Sequence, residues 1–144
     1  MPSFISHARD LALGTIPGCD ALSITSIQTI SGTGANHLGA RFLTENLKPR
    51  RVWISDPTWA NHSLLWYLVG EVQQSLYPYF DPVSRGFDFA GMMTKLEKEA
   101  MAGDIIILHA CAHNPTGVDP SRKQWESIAD LCEKKQLFPF FDSA

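Results

Sequence analysis

Cysteine is scarce. Cys19, Cys111 and Cys132 are odd in number and form no C-x-x-C pair. Neither a disulfide framework nor a zinc finger is expected, and a reducing, cytoplasmic compartment is the default. Long apolar runs are lacking too: a segment such as residues 105–108 falls far short of the roughly 20 residues that cross a bilayer. The first ten residues have neither the apolar core of a signal peptide nor the Arg-rich, acid-free pattern of a transit peptide. No charge of one sign accumulates. Twelve Lys and Arg against fifteen Asp and Glu give a net charge of −3 without long blocks of either sign. No basic footprint recommends nucleic acid or an anionic membrane as a partner. Repeats, low-complexity tracts and linkers are absent, so 144 residues with 44% apolar content are expected to build one domain.

What is present is an alternation of strand and helix patterns. Residues 26–30 read as a short β-rich strand closed by Ser31-Gly32-Thr33-Gly34. Leu38, Phe42, Leu43 and Leu47 then recur at helical spacing across 35–47, and Lys48-Pro49 stops that helix. Residues 52–54 read as a strand, 60–69 as a helix and 72–79 as a strand. A helix of about twelve residues begins near Asp88 with Met92, Met93 and Leu96 inward, and Gly103 closes it. Residues 104–109 are apolar on both faces, as a central parallel strand should be. Asp119-Pro120 supplies an N-cap and first-turn proline for a helix whose apolar face includes Trp125, Ile128, Leu131 and Cys132. Residues 137–141 form the last strand. The fold class is therefore α/β, with a mostly parallel sheet flanked by helices.

Ligands of such sheets sit beyond the carboxyl ends of the strands, and the unusual residues fall there: 31–34, 56–62, 109–117 and Asp142. Ser31 to Ala35 combines two glycines, two hydroxyls and a helix start, which suits a phosphate; a plain tight turn is the competing reading. It is not a dinucleotide fingerprint, since His37 stands where the third glycine belongs, and no Gly-Lys-Ser/Thr makes it a P-loop. Asp142 is either a helix cap or an anion for a cationic ring nitrogen or a metal. Trp59 is either core or a stacking face for a flat ring. His109, Cys111 and His113 would share one face of an extended segment as zinc ligands. The flanking alanines and the turn at Asn114-Pro115 oppose that, and no metal is expected.

The run His109-Ala-Cys-Ala-His-Asn-Pro-Thr-Gly-Val-Asp-Pro120, then Gln124-Trp125, then Phe140-Phe-Asp-Ser-Ala144, resembles the aspartate aminotransferase family. Residues 31–35 and Pro57-Thr-Trp-Ala-Asn-His62 resemble that family's other two cofactor motifs, in the correct order. The resemblance runs from about residue 27 to the end. It implies a fold-type I transferase using pyridoxal 5'-phosphate, homodimeric and active in amino-acid metabolism. Residues 1–144 would then be part of the class I/II large, cofactor-binding domain, with the small domain absent. By resemblance, Ser31, Gly32 and Thr33 hold the cofactor phosphate and Trp59 stacks on the pyridine ring. Asn114 bonds the ring hydroxyl, Asp142 pairs with the protonated ring nitrogen, and His62 and His109 lie near that carboxylate. The Asn114-Pro115 bond matches a position that is cis in the family.

The Schiff-base lysine of the family is implied to lie beyond residue 144. The six lysines present sit on helix patterns or at a helix end. The resemblance thus implies transfer of an amino group between L-aspartate and 2-oxoglutarate, with this fragment itself inactive. The alternatives are a non-catalytic remnant that binds cofactor or pairs with a full-length subunit, and an aromatic amino-acid aminotransferase. An uncovered last strand implies a product that self-associates or aggregates.

Overall fold

The computed structural model describes residues 2–14 and 23–143, so Cys19 lies outside the described residues. The chain divides into two compact units, residues 1–35 and 36–144. The first holds helix α1 (Pro2–Leu13) and the first turn of α2 (Ser31–Leu47). Residues 24–29 join no strand or helix, which corrects the strand expected at 26–30. β-branched residues favour extended backbone, but without a neighbouring strand they make no ladder. The helix expected from residue 35 starts at Ser31 instead.

The second unit carries the sheet. Its elements are β1 (Arg51–Asp56), α3 (Ala60–Leu68), β2 (Gln73–Pro78), β3 (Phe80–Asp81), β4 (Gly86–Phe87), α4 (Phe89–Glu99), β5 (Ile105–His109), α5 (Arg122–Lys135) and β6 (Phe138–Asp142). Four strands run parallel in the order β2-β1-β5-β6, and β3 and β4 form a small antiparallel pair. Successive residues of β1 and β5 feed opposite faces. Val52, Ile54, Ile105 and Ile107 pack with Ala40 and Leu43 of α2 and Trp66 of α3. Trp53, Ile106 and Leu108 pack with Met92 and Leu96 of α4 and Ile128, Leu131 and Cys132 of α5. Every residue of β5 is buried, as expected for a strand covered on both faces.

Helix α2 lies close against β6 because Gly39 has no side chain: a Cβ there would stand 2.6 Å from the Phe140 ring. That approach brings Asn36, one turn earlier on the same face, within reach of Asp142 at the end of β6. The helix expected near Asp88 starts there, with Asp88 capping α4 by accepting from Gly91 N–H at 2.9 Å. Helix α5 is capped by Ser121, whose capping box with Gln124 displaces the expected Asp119-Pro120 cap. Helix α4 ends at Glu99, and Gly103 serves the turn into β5 with φ +82°. Among the described residues no helix is long and apolar enough to cross a membrane.

At the opposite edge of the sheet, Asp104 is fully buried. Its carboxylate accepts from Trp53 Nε1 at 3.0 Å, Met101 N–H at 3.0 Å and Arg50 Nη2 at 3.2 Å. Removing it strands the buried Trp53 indole N–H and frees the Met101 N–H, whereas Arg50 is half exposed. Asp104→Ala should cost about 3 kcal/mol in denaturant unfolding and Arg50→Ala less than about 1 kcal/mol. Equal losses would mean that the ion pair, not the N–H donors, gives Asp104 its weight.

Candidate functional site

Parallel strands share one carboxyl edge, and β1, β5 and β6 end there at Asp56, His109 and Asp142. The pairing register sets His109 directly opposite Asp142, and Ala110 N–H bonds the Asp142 carbonyl at 2.8 Å. From the β1 end, Asp56-Pro57 is cis, and Trp59 stands as N-cap of α3. One turn into α3, His62 is buried and faces Asp142. From the β5 end, the chain turns through 110–112 and reaches Asn114-Pro115, which is cis as the resemblance implied. Trp59, His62, His109, Asn114 and Asp142 therefore share this edge. Ser31, Gly32 and Thr33 form the first turn of α2 and belong to the other unit.

A backbone donor fixes the tautomer of one imidazole, and contacts link it to a second. Asn114 N–H donates to His109 Nδ1 at 3.1 Å, so the neutral ring carries its proton on Nε2. His109 Nε2 then faces Thr58 Oγ1 at 3.4 Å, and the same hydroxyl meets His62 Nδ1 at 2.9 Å. His62 Nε2–H donates to Asp142 Oδ2 at 2.8 Å. Asn36 Nδ2 donates to the other oxygen at 3.1 Å. The His62 bond, ahead of that from Asn36, holds the Asp142 carboxyl below its ordinary range against the opposing effect of burial. A carboxylate offers about four lone-pair sites. Among the described residues two are taken, and the side chain is 21% exposed, so a donor arriving from solvent still has a place.

The rings form a continuous stack. His113 lies on Tyr79 at 3.6 Å and against His109 at 4.1 Å; His109 meets His62 edge-on at 4.8 Å, and His62 meets Trp59 edge-on at 5.3 Å. Burial first, and then a neighbouring imidazole, pushes His109 and His113 down to about 4. Both are neutral near pH 7.

The loop that carries Asn114 is clamped from behind. Asp119 accepts from Ala112 N–H at 2.9 Å and His113 N–H at 3.0 Å, which explains why it does not cap α5. Tyr79 Oη donates to the Val118 carbonyl at 2.8 Å. The extended geometry needed to align His109, Cys111 and His113 as metal ligands does not form, because the strand ends at His109 and Ala112 takes φ +51°. Sequence reasoning missed Asn36, Thr58 and the structural weight of His113. Asn36 was detectable: it occupies the apolar stripe of α2 with Ala40 and Leu43, and a buried amide needs a partner.

Residues 3–144 match the family described as aminotransferase class I and II. The chain belongs to this family. It is 56% identical over 98% of its length to an L-tyrosine:2-oxoglutarate aminotransferase of Aspergillus ustus, covering 28% of that protein. It is 45% identical over 89% of its length to the cytoplasmic aspartate aminotransferase of Oryza sativa subsp. japonica, covering 31% of it. Among solved structures, aspartate aminotransferase of Trypanosoma cruzi superposes with a TM-score of 0.92 at 40% identity, over 99% of this chain and 36% of that one. An aromatic amino acid aminotransferase of Burkholderia cenocepacia also gives 0.92, at 36% identity, over 100% of this chain and 36% of that one. The chain thus spans about a third of the length of the relatives it matches.

The two stacked histidines predict a pH dependence. Their folded values, about 4, lie below the ordinary 6.5, so the unfolded chain binds more protons between those limits. Their contribution to stability is complete above about pH 6.5 and is lost as pH falls toward 4. Denaturant midpoints should drop through that window, and His109→Gln should flatten the slope. An unchanged slope in the variant would show that His109 is not held neutral.

Proposed function

We propose that this chain is the ring-holding part of a pyridoxal 5'-phosphate-dependent aminotransferase, one that moves an amino group between L-aspartate and 2-oxoglutarate. The observation that carries this reading is the Asp142 carboxylate, kept ionised by His62 and Asn36 at the sheet's carboxyl edge with lone pairs left for a ligand. The residues present suit the cofactor: an anion for a ring nitrogen, a half-buried indole two residues past a cis proline, and an exposed amide at Asn114. When bound, pyridoxal phosphate supplies the sink for negative charge left on an amino acid's α-carbon. Asp142 holds the proton on the ring nitrogen, and His62 orients Asp142 and keeps it charged. Trp59 stacks on the ring, Asn114 bonds its hydroxyl, and Ser31, Gly32 and Thr33 take the phosphate.

A second reading concerns the amino donor. The 56% identity to a tyrosine aminotransferase, against 45% to an aspartate aminotransferase, favours an aromatic donor with 2-oxoglutarate as acceptor. The ring-holding residues serve either donor. Kinetics with aspartate and with tyrosine as donors and 2-oxoglutarate as acceptor separate the two. The compartment proposed is the cytoplasm, supported by three cysteines without disulfide-type spacing and by a cytoplasmic relative. The assembly proposed is a homodimer, and the exposed Phe138 and Phe141 on edge strand β6 favour self-association of this segment.

None of the six lysines lines the site. Lys48 follows α2, Lys95 and Lys98 lie on α4, and Lys123, Lys134 and Lys135 lie on α5. The 144-residue chain should therefore bind pyridoxal phosphate reversibly and, after borohydride, carry no covalent adduct. Asp142→Ala should weaken binding about tenfold or more, the loss of one charge-assisted hydrogen bond. A borohydride-stable adduct on any of the six lysines, or binding indifferent to Asp142, would overturn this reading.

A further inference from the structure

The motif residue that the proposed function leaves unused is His113. It is 1% exposed, lies next to Asn114 in the chain, and has both ring nitrogens engaged. Its Nε2 faces Ser55 Oγ on β1 at 3.0 Å, and its Nδ1 faces Thr116 Oγ1 at 2.8 Å. The Thr116 oxygen also receives Val118 N–H at 3.2 Å. Beside Ser55 in the register of β1 and β2, Tyr77 Oη donates to the Ile107 carbonyl at 2.7 Å. Hydrogen bonds therefore run from a backbone amide of the loop through Thr116 and His113 to Ser55 on β1. The ring is gripped on both faces as well, by Tyr79 and His109.

We propose that His113 is a positioning residue: it ties the 113–118 loop to β1 and β5 in one orientation and so sets where the Asn114 amide meets the ring hydroxyl of the cofactor. The inference rests on the cofactor reading above and goes beyond it in assigning the loop's placement to the His113 chain. Asn114 itself is exposed and its side chain is not what holds the loop. A core histidine that merely fills space would need neither both nitrogens bonded nor both faces stacked. The cost of disrupting such a chain falls on whatever the loop presents, and the loop presents Asn114.

The test uses the 144-residue chain and two probes: pyridoxal phosphate, and the analogue in which hydrogen replaces the ring hydroxyl. Ser55→Ala and Thr116→Val each delete one partner of His113 without touching the cofactor. Each should weaken pyridoxal phosphate by about five- to tenfold and leave the analogue within about twofold. Thr116→Ser, which keeps the hydroxyl, should restore binding. Imidazole nitrogen NMR of the unmodified chain near pH 7 should show His113 neutral with both nitrogens hydrogen-bonded. Equal weakening of both probes, no weakening of either, or a His113 nitrogen free of hydrogen bonds would overturn the assignment. If the unmodified chain binds neither probe, the cofactor reading fails and the positioning role falls with it. The state of the two ring nitrogens, and loss of Val118 amide protection in Thr116→Val, then still decide whether the chain of bonds exists.

Discussion

Strand β5 has no face or edge left for water, and the arrangement of the site follows from that constraint. Its apolar residues, Ile105 to Leu108, are at most 3% exposed, lie between β1 and β6, and are covered by helices on both sides. A strand so enclosed must be parallel to its neighbours when the connections are crossover helices, and parallel neighbours end together. The polar residues that terminate β1, β5 and β6 are thereby collected at one edge. Register matters as much as direction. His109 opposite Asp142 is the consequence of Ile105 opposite Phe138, and a slip of one residue would turn Asp142 to the other face of the sheet. Packing and chemistry are specified by the same five residues.

The electrostatics of this edge turn on how Asp142 is held. His109 touches both His62 and His113, and of the three His62 bonds the carboxylate. Burial and a neighbouring imidazole keep His109 and His113 neutral near pH 7, so neither sets a competing cation beside it. Hydrogen bonds from His62 and Asn36 hold the carboxylate in its charged form. An anion stabilised in this way is suited to a cationic ring nitrogen.

Much of this was legible in the sequence, because burial on two faces writes itself plainly. The four-residue apolar run of β5, the helical stripe of α4 and α5, and the punctuation at Gly, Pro and Asp placed nearly every element of the second unit. The motif spacing placed Trp59, His62, His109, Asn114 and Asp142 at one edge. The misses share a physical cause. Residues 26–30 have strand-forming side chains, yet a strand exists only where a partner strand supplies its hydrogen bonds, and local sequence does not contain the partner. Asp119 satisfies the rule for a helix cap, but two amides of the preceding loop compete for its oxygens and prevail. Ser121, two residues later, takes the cap. Asn36 could be read from its place in the apolar stripe of α2, but its partner Asp142 could not, and Thr58 became visible only once His109 was seen beside it.

The choice of histidine at 109 and 113 has a common explanation that needs no metal. A neutral imidazole is the one side chain that presents a donor and an acceptor on opposite sides of a rigid plane, while its faces remain free to stack. An amide such as Gln offers both functions from the same end of a flexible stem, so it cannot pass a hydrogen bond straight through while packing on both faces. At this edge, bonds must travel inward from loop amides at Asn114 and Val118 to a carboxylate and to Ser55 on β1. Two routes do so side by side, through His109 and His62 and through His113, and the stacked rings between them hold both routes in register. A loop whose own side chains are largely exposed is thereby fixed by what lies beneath it.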